Sequence, residues 1–427
     1  MKTINFMQHQ KEVLEKSKDY KNVAYYLDMG LGKTFIGAEK LINKGKNVNL
    51  VVCQKSKVTD WIEHFKNYYD HEIYDLTNKK SFEEFIQTAK VYDYIKVVGV
   101  INYDLAFRRK ELLELQDFTL MLDESSLIQN DKSKRTKFIL KMKYDNVILL
   151  SGTPTSGKYE NLWSQCHLLG WNISKRAYDI TYVNFKKIVS GDFQHNVVDK
   201  NDPYKNVERL KRKMREHGAI FMKTEEVIDL PEQTFIELKC KTSSEYKTFI
   251  DNDYVSLKDV EFIGDSDFSK RLCERQLCSV YNRDKLKMFE DLIQSTNDRI
   301  VVFYNFNVEL ETLKDICRIY DKPVSEVNGE TKDLKNYEKY SNSITLVQYQ
   351  AGALGLNLQK ANKIIYFTLT DKSELFEQSK KRIHRIGQEN RCFYYILLCS
   401  GSIEESIYQT LKERKDYTDD LFKEYKR

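Results

Sequence analysis

The residues best suited to chemistry open the chain. Gly30-Leu31-Gly32-Lys33-Thr34 follows the apolar run Val23 to Leu27 and precedes Phe35 to Leu41, which can continue as a helix. Glycines between a strand and a helix let backbone N–H groups close around phosphate oxygens at the helix N-terminus. In that setting Met29 to Thr34 form the cradle, Lys33 offsets the β/γ-phosphate charge, and the Thr34 hydroxyl can ligate Mg²⁺. The strict GxxxxGK[ST] pattern is not met, because Leu27 occupies the first glycine's position. Farther on, the apolar run Phe118 to Leu122 ends in Asp123-Glu124. A strand delivering paired carboxylates places Asp123 on the metal and leaves Glu124 near the γ-phosphate, to orient or deprotonate water. Taken alone, such a pair is equally a solvated strand end.

The elements that must position these groups are legible as short β-branched runs between amphipathic segments. Val48 to Cys53, Lys96 to Ile101, Phe118 to Leu122 and Asn146 to Leu150 read as buried parallel strands, and Arg299 to Tyr304, Ile344 to Gln348, Lys363 to Phe367 and Phe393 to Leu398 form a second set. Two α/β domains follow, and 427 residues exceed what one core usually organises. Between them the pattern turns charged and helical, so the expected boundaries are 1–170, a helical insertion over 171–282, and 283–427. Within the insertion, Arg209, Lys211, Arg212, Lys213 and Arg215 suit either a solvated helix face or a phosphate-binding one.

Composition narrows the setting. A net charge of +5 from 69 basic and 64 acidic residues does not announce a nucleic-acid partner, so local clusters must carry that reading. The eight cysteines are scattered without a CxxC pair, which suits reduced thiols and a cytoplasmic compartment, bacterial or that of a virus's host. No apolar run approaches membrane-spanning length, so a soluble protein, expected to be a monomer, is the reading.

Beyond these two motifs, the chain resembles the Swi/Snf-related DNA translocases of helicase superfamily two. Asp28-Met29-Gly30-Leu31-Gly32-Lys33-Thr34 resembles that family's phosphate loop. Val51-Val52-Cys53-Gln54-Lys55-Ser56 with Trp61 is similar to the following strand and its DNA-side loop. Asp123 to Asn130 with Ser133-Lys134-Arg135-Thr136 resembles the DEAH-type box and its basic sequel, and Leu150-Ser151-Gly152-Thr153-Pro154 the Ser/Thr-Gly-Thr-Pro motif. Met222-Lys223-Thr224 to Leu230-Pro231 and Arg275-Gln276-Leu277-Cys278 are similar to the stretch joining the lobes. Gln350 to Leu358 resembles motif V, and Gln378 to Gln388, QSKKRIHRIGQ, resembles motif VI, the most family-specific string. Departures are Leu27-Asp28 for Asp-Glu, Gln54 for Pro, and Ser125-Ser126 for Ala-His, the last removing a contact that couples the ATP site to neighbouring motifs.

The resemblance implies two tandem RecA-like parallel-sheet lobes with a helical insertion, ATP and Mg²⁺ as ligands, and movement along double-stranded DNA without reading its sequence. It implies Lys33, Asp123, Glu124, Arg382 and Arg385 in catalysis. Gln10 would read adenine, and Gly355, Asn357 and Gln378 would line the nucleotide cleft. Arg382 and Arg385 are three apart and would share a helical face, acting as arginine fingers worth roughly 10³ to 10⁵ in rate; the alternative is a solvated basic face with Lys380 and Lys381. Lys55, Ser56, Lys132, Lys134, Arg135 and the Thr153 hydroxyl would hold DNA phosphates, contacts that position a motor without reading bases. Proteins displaced or recruited on DNA are further possible partners. Two other functions share this core: a strand-separating DNA or RNA helicase, and a non-hydrolysing nucleotide-switched interaction protein.

Overall fold

The computed structural model describes residues 2–91, 94–190, 193–257, 260–352 and 356–424. The chain forms two compact units, 1–227 with 416–427, and 228–415. The first contains β1 (Val23–Leu27), β2 (Val48–Cys53), β3 (Glu72–Asp75), β4 (Val97–Asn102), β5 (Phe118–Asp123), β6 (Asn146–Ser151), β7 (Phe185–Ser190), β8 (Phe193–Val198) and β9 (Ala219–Met222). Seven of these make one sheet in the order β3-β4-β2-β5-β6-β1-β9, with every pairing parallel. The central strands are buried throughout, as expected of a parallel sheet covered by helices on both faces.

The second unit holds β10 (Gln233–Lys241), β11 (Tyr254–Leu257), β12 (Val260–Ile263), β13 (Ile300–Tyr304), β14 (Val324–Val327), β15 (Lys332–Asp333), β16 (Ile344–Gln348), β17 (Lys363–Tyr366) and β18 (Cys392–Ser400). Its sheet runs β10-β18-β17-β13-β16-β14-β15, parallel except for the β14–β15 pair. The two-lobed RecA-like α/β class expected from the motifs is the class observed.

The insertion is where expectation and structure part. Residues 171–282 are neither one body nor chiefly helical. They contain two antiparallel hairpins, β7–β8 and β11–β12, and they donate an edge strand to each sheet: β9 beside β1, and β10 beside β18. The division between units falls at Val227/Ile228, inside this stretch. A half-exposed strand alternates apolar and charged residues, as Gln233–Lys241 does, and in sequence its charges run together with those of the neighbouring helices.

The cluster Arg209 to Arg215 lies on the helix Val207–Glu216 and has structural work within the first unit. Lys211 is buried and pairs with Asp420 at 2.9 Å and Glu208 at 3.1 Å. Arg215 donates to the carbonyls of Leu421, Phe422 and Lys423, closing the end of the last helix, and its guanidinium lies 4.5 Å from the Phe221 ring. These two cations are therefore a clasp for residues 416–424 rather than part of a phosphate-binding face. All eight cysteines are buried and none is in a disulfide. Among the described residues no helix is long and apolar enough to cross a membrane.

Candidate active site

Strand order gathers the motifs. Adjacent strands β5, β6, β1 and β9 release, at their carboxyl ends, Asp123-Glu124, Ser151-Gly152-Thr153-Pro154, the loop Asp28 to Gly32, and Lys223-Thr224. Parallel register aligns them, with Asp123 opposite Leu150, Tyr26 opposite Ser151, and Leu27 opposite Met222. Ligand sites of open parallel sheets lie at such an edge.

The loop is shaped by its glycines. Gly30 has φ +89° and Gly32 φ +76°, the left-handed region that side chains disfavour. A Cβ at Gly32 would also lie 2.1 Å from Gln10 Nε2. Gln10 is thus pressed under the loop: its Nε2 donates to the Leu31 carbonyl at 3.4 Å, and its Oε1 accepts from the Met7 amide at 2.9 Å. His9 Nε2 donates to the same Leu31 carbonyl at 3.1 Å. Sequence reasoning missed His9; its adjacency to Gln10 on one short helix was the available signal.

The helix Lys33–Asn43 starts at the loop, with Thr34 exposed in its first turn. Lys33 Nζ donates to the carbonyls of Leu27 at 2.7 Å and Asp28 at 3.1 Å. Gly152 sits alongside, where an added Cβ would be 3.5 Å from that amine. Asp28, one of the departures from the family pattern, accepts from the Thr224 amide and hydroxyl, each at 3.3 Å, linking the loop to Met222-Lys223-Thr224.

Asp123 ends β5 with its carboxylate held by the Trp61 indole N–H at 2.8 Å. Burial raises its pKa above the usual carboxylate value, opposed by the Trp61 bond and by the charge of Lys33. Trp61 is buried and stacked on Phe65 at 5.7 Å, so it faces the carboxylate rather than a DNA-side loop. Glu124 adopts φ 54°, ψ 60°, a left-handed conformation unusual for a non-glycine residue, and Ser151 Oγ donates to its Oε2 at 3.4 Å.

The residues expected to face phosphates of a nucleic acid are partly assembled. Lys55, Ser56, Lys132 and Lys134 are exposed. Arg135 is ion-paired with Asp104 and stacks over the Tyr103 ring at 5.4 Å. Asp104 and Lys55 line one cavity of about 520 Å³, with Asn102 and Arg108. The Thr153 hydroxyl is buried and has no hydrogen-bond partner among the described residues.

In the second unit, the helix carrying Gln378 ends at Lys380, and residues 381–387 form turns and bends. Arg382 and Arg385 therefore do not share a helical face, and past the helix Gln388 and Arg382 bond the backbone of residues 358–361. Gln388 Nε2 donates to the carbonyls of Gln359, Ala361 and Ile383 at 2.9–3.2 Å, and the Arg382 carbonyl accepts from Leu358 N at 3.1 Å. His384 Nε2 donates to the Pro231 carbonyl at 2.8 Å, tying Leu230-Pro231 to this segment. Nor is the segment a solvated basic face, since Lys380 is buried, paired with Glu377 at 2.5 Å. Burial lowers the pKa of Arg385 below its ordinary value. Gln378 is buried and bonds Glu374 at 3.3 Å, Asn357 is exposed, and Gly355 lies outside the described residues.

A phosphate loop and a strand-end carboxylate pair on one parallel sheet, followed by a second parallel α/β lobe, define the two-lobed RecA-like class. The SNF2-related domain model matches residues 4–289 and the helicase conserved C-terminal domain model residues 284–387. The first match spans more than half of the chain, and the chain belongs to the SNF2-related family. It is 25% identical to the probable ATP-dependent DNA helicase CHR12 of Arabidopsis thaliana over 91% of this chain and 39% of that protein. It is 23% identical to the ISWI chromatin-remodeling complex ATPase ISW1 of Saccharomyces cerevisiae, over 91% and 37%. With the putative ATP-dependent helicase/translocase YwqA of Bacillus subtilis the identity is 23%, over 92% and 46%. The chain thus spans less than half the length of these relatives. The Sulfolobus solfataricus SWI2/SNF2 ATPase core solved with dsDNA aligns at TM-score 0.45 and 19% identity, covering 98% of this chain and 93% of that one.

Proposed function

We propose that this chain hydrolyses ATP in a DNA-stimulated manner and uses the cycle to move along duplex DNA without sequence preference. The observation that carries the reading is the convergence of Lys33, Asp123-Glu124 and Gly152-Thr153-Pro154 on adjacent strand ends of one sheet. Family membership and the similarity to proteins named as an ATP-dependent DNA helicase and a remodelling ATPase support it.

Lys33 would leave its loop carbonyls for phosphate oxygens, exchanging neutral acceptors for charged ones. Glu124 would orient the attacking water and take its proton. Asp123 and Thr34 supply one carboxylate and one hydroxyl oxygen, a donor set suited to a hard divalent cation. Mg²⁺ held there would supply charge stabilisation on the phosphates. Arg382 and Arg385 are assigned the offset of charge developing on the transferred phosphoryl group. Exposed Lys55, Lys132 and Lys134 would take DNA phosphates through contacts that carry no base information.

Phosphate release measured with duplex, single-stranded and branched DNA and with RNA tests the proposal. Duplex should stimulate wild type, and strand displacement on forked substrates should be absent. Robust unwinding, or stimulation by single strands but not duplex, overturns translocation in favour of strand separation.

A further inference from the structure

The family's Ala-His after the two carboxylates is Ser125-Ser126 here, and a buried amide occupies the space between that turn and the Gly-Thr-Pro loop. Gln165, fully buried on the short helix Trp163–Leu168, makes three side-chain bonds. Its Nε2 donates to the Pro154 carbonyl at 2.7 Å, and its Oε1 accepts from Ser125 Oγ at 2.7 Å and Tyr26 OH at 3.0 Å. The orientation is determined chemically: a carbonyl only accepts, so the amide nitrogen must face Pro154 and the oxygen must face the two hydroxyls. Gln129 Nε2 adds a second bond to the same Pro154 carbonyl at 3.2 Å, and Asn161 holds Gln129 Oε1 at 3.1 Å.

We infer that Gln165 is a positioning residue for hydrolysis, acting through Ser125 to hold Glu124 in its left-handed turn and to make that turn follow the position of the Thr153-Pro154 loop. Three strands meet in this amide. Tyr26 lies one residue before the end of β1, Ser125 directly follows Glu124, and Pro154 directly follows Thr153. The Glu124 carbonyl, at φ 54°, accepts from the Leu127 amide at 2.9 Å and the Tyr103 hydroxyl at 3.5 Å, and wholly buried Ser125 adds the side-chain anchor that ties this turn to Gln165. A buried amide held by three bonds keeps one geometry, because displacing it strands polar groups away from water. Movement of Pro154 is thereby imposed on the residue next to the catalytic carboxylate.

The inference rests on the reading of the chain as an ATPase, and the test separates the two. Ser125→Ala cuts the anchor while leaving the backbone and the Gln165–Pro154 bond; kcat at saturating ATP, with and without duplex, should fall roughly tenfold, as displaced catalytic groups do, with KM for ATP unchanged. The triple variant Tyr26→Phe, Ser125→Ala, Gln165→Met replaces the network by apolar groups of similar volume. It should melt within a few degrees of wild type yet show the same or a larger loss of kcat and a reduced ratio of duplex-stimulated to basal rate. Wild-type kcat and stimulation ratio in Ser125→Ala overturn the inference alone. A wild-type protein that releases no phosphate with any nucleic acid overturns both the inference and the proposed function.

Discussion

The indole nitrogen of Trp61 stands 2.8 Å from Oδ2 of Asp123, so a buried aromatic from the helix Val58–Tyr68 orients the carboxylate at the end of β5. Burial raises the pKa of Asp123 and the indole bond lowers it. Trp61→Phe removes the lowering contribution and should raise that pKa further. Because the ionised form is the useful one, the acid limb of the kcat/KM profile for ATP should move to higher pH. Loss of one hydrogen bond to a charged group should also lower stability by about 1.5–3 kcal/mol, measurable by urea unfolding.

Lys33→Ala and Glu124→Gln separate binding from chemistry. The first should weaken nucleotide affinity as well as turnover. The second should keep nucleotide binding and lower phosphate release by roughly 10²–10⁴, the usual range for a lost general base. Equal release from both variants and wild type would remove the enzyme claim and leave a nucleotide-switched binding protein.

Gly32→Ala should be far more damaging than its size suggests. The left-handed backbone costs a non-glycine residue about 1–2 kcal/mol, and the added methyl group meets Gln10 Nε2 at 2.1 Å. The expected outcome is lost nucleotide binding by fluorescence titration with little change in overall helicity.

Lys285 and Glu404 form an ion pair at 2.5 Å in the second lobe, both buried. Lys285→Met or Glu404→Gln alone strands a partner and should destabilise by about 3–5 kcal/mol. The double variant should be less destabilised than the sum of the singles in a thermal or urea melt.

Lys211→Met should lower the melting temperature through loss of its Asp420 partner. The salt dependence of duplex affinity should remain that of wild type. A shallower slope would show that Lys211 neutralises a DNA phosphate after all.

Much of the candidate site's place in the fold was legible because its motifs are local. Gly30 to Thr34, the strand ending in Asp123-Glu124, and Leu150 to Pro154 each require particular residue types at fixed spacing, and buried parallel strands announce themselves as continuous apolar runs. The two sets of apolar runs pointed to the two-lobed class, and Gln378 to Gln388 narrowed the resemblance to one family. The middle of the chain was misread because β9 is only four residues long and the alternation Ile236-Glu237-Leu238-Lys239-Cys240-Lys241 in β10, a period-two strand signal, was passed over among the surrounding charged residues.

Tertiary structure alone decided which side chains meet across strands. Residue order could not show that Trp61 reaches Asp123, that Gln165 joins Tyr26, Ser125 and Pro154, or that Lys211 and Arg215 hold the end of the chain. It also suggested a shared helical face for Arg382 and Arg385, whereas the helix ends at Lys380 and Gln388 bonds the carbonyls of Gln359 and Ala361. Covalent spacing fixes neighbours along a strand or helix, whereas a buried donor takes whichever acceptor the packed sheet brings within 3 Å, and that depends on strand order.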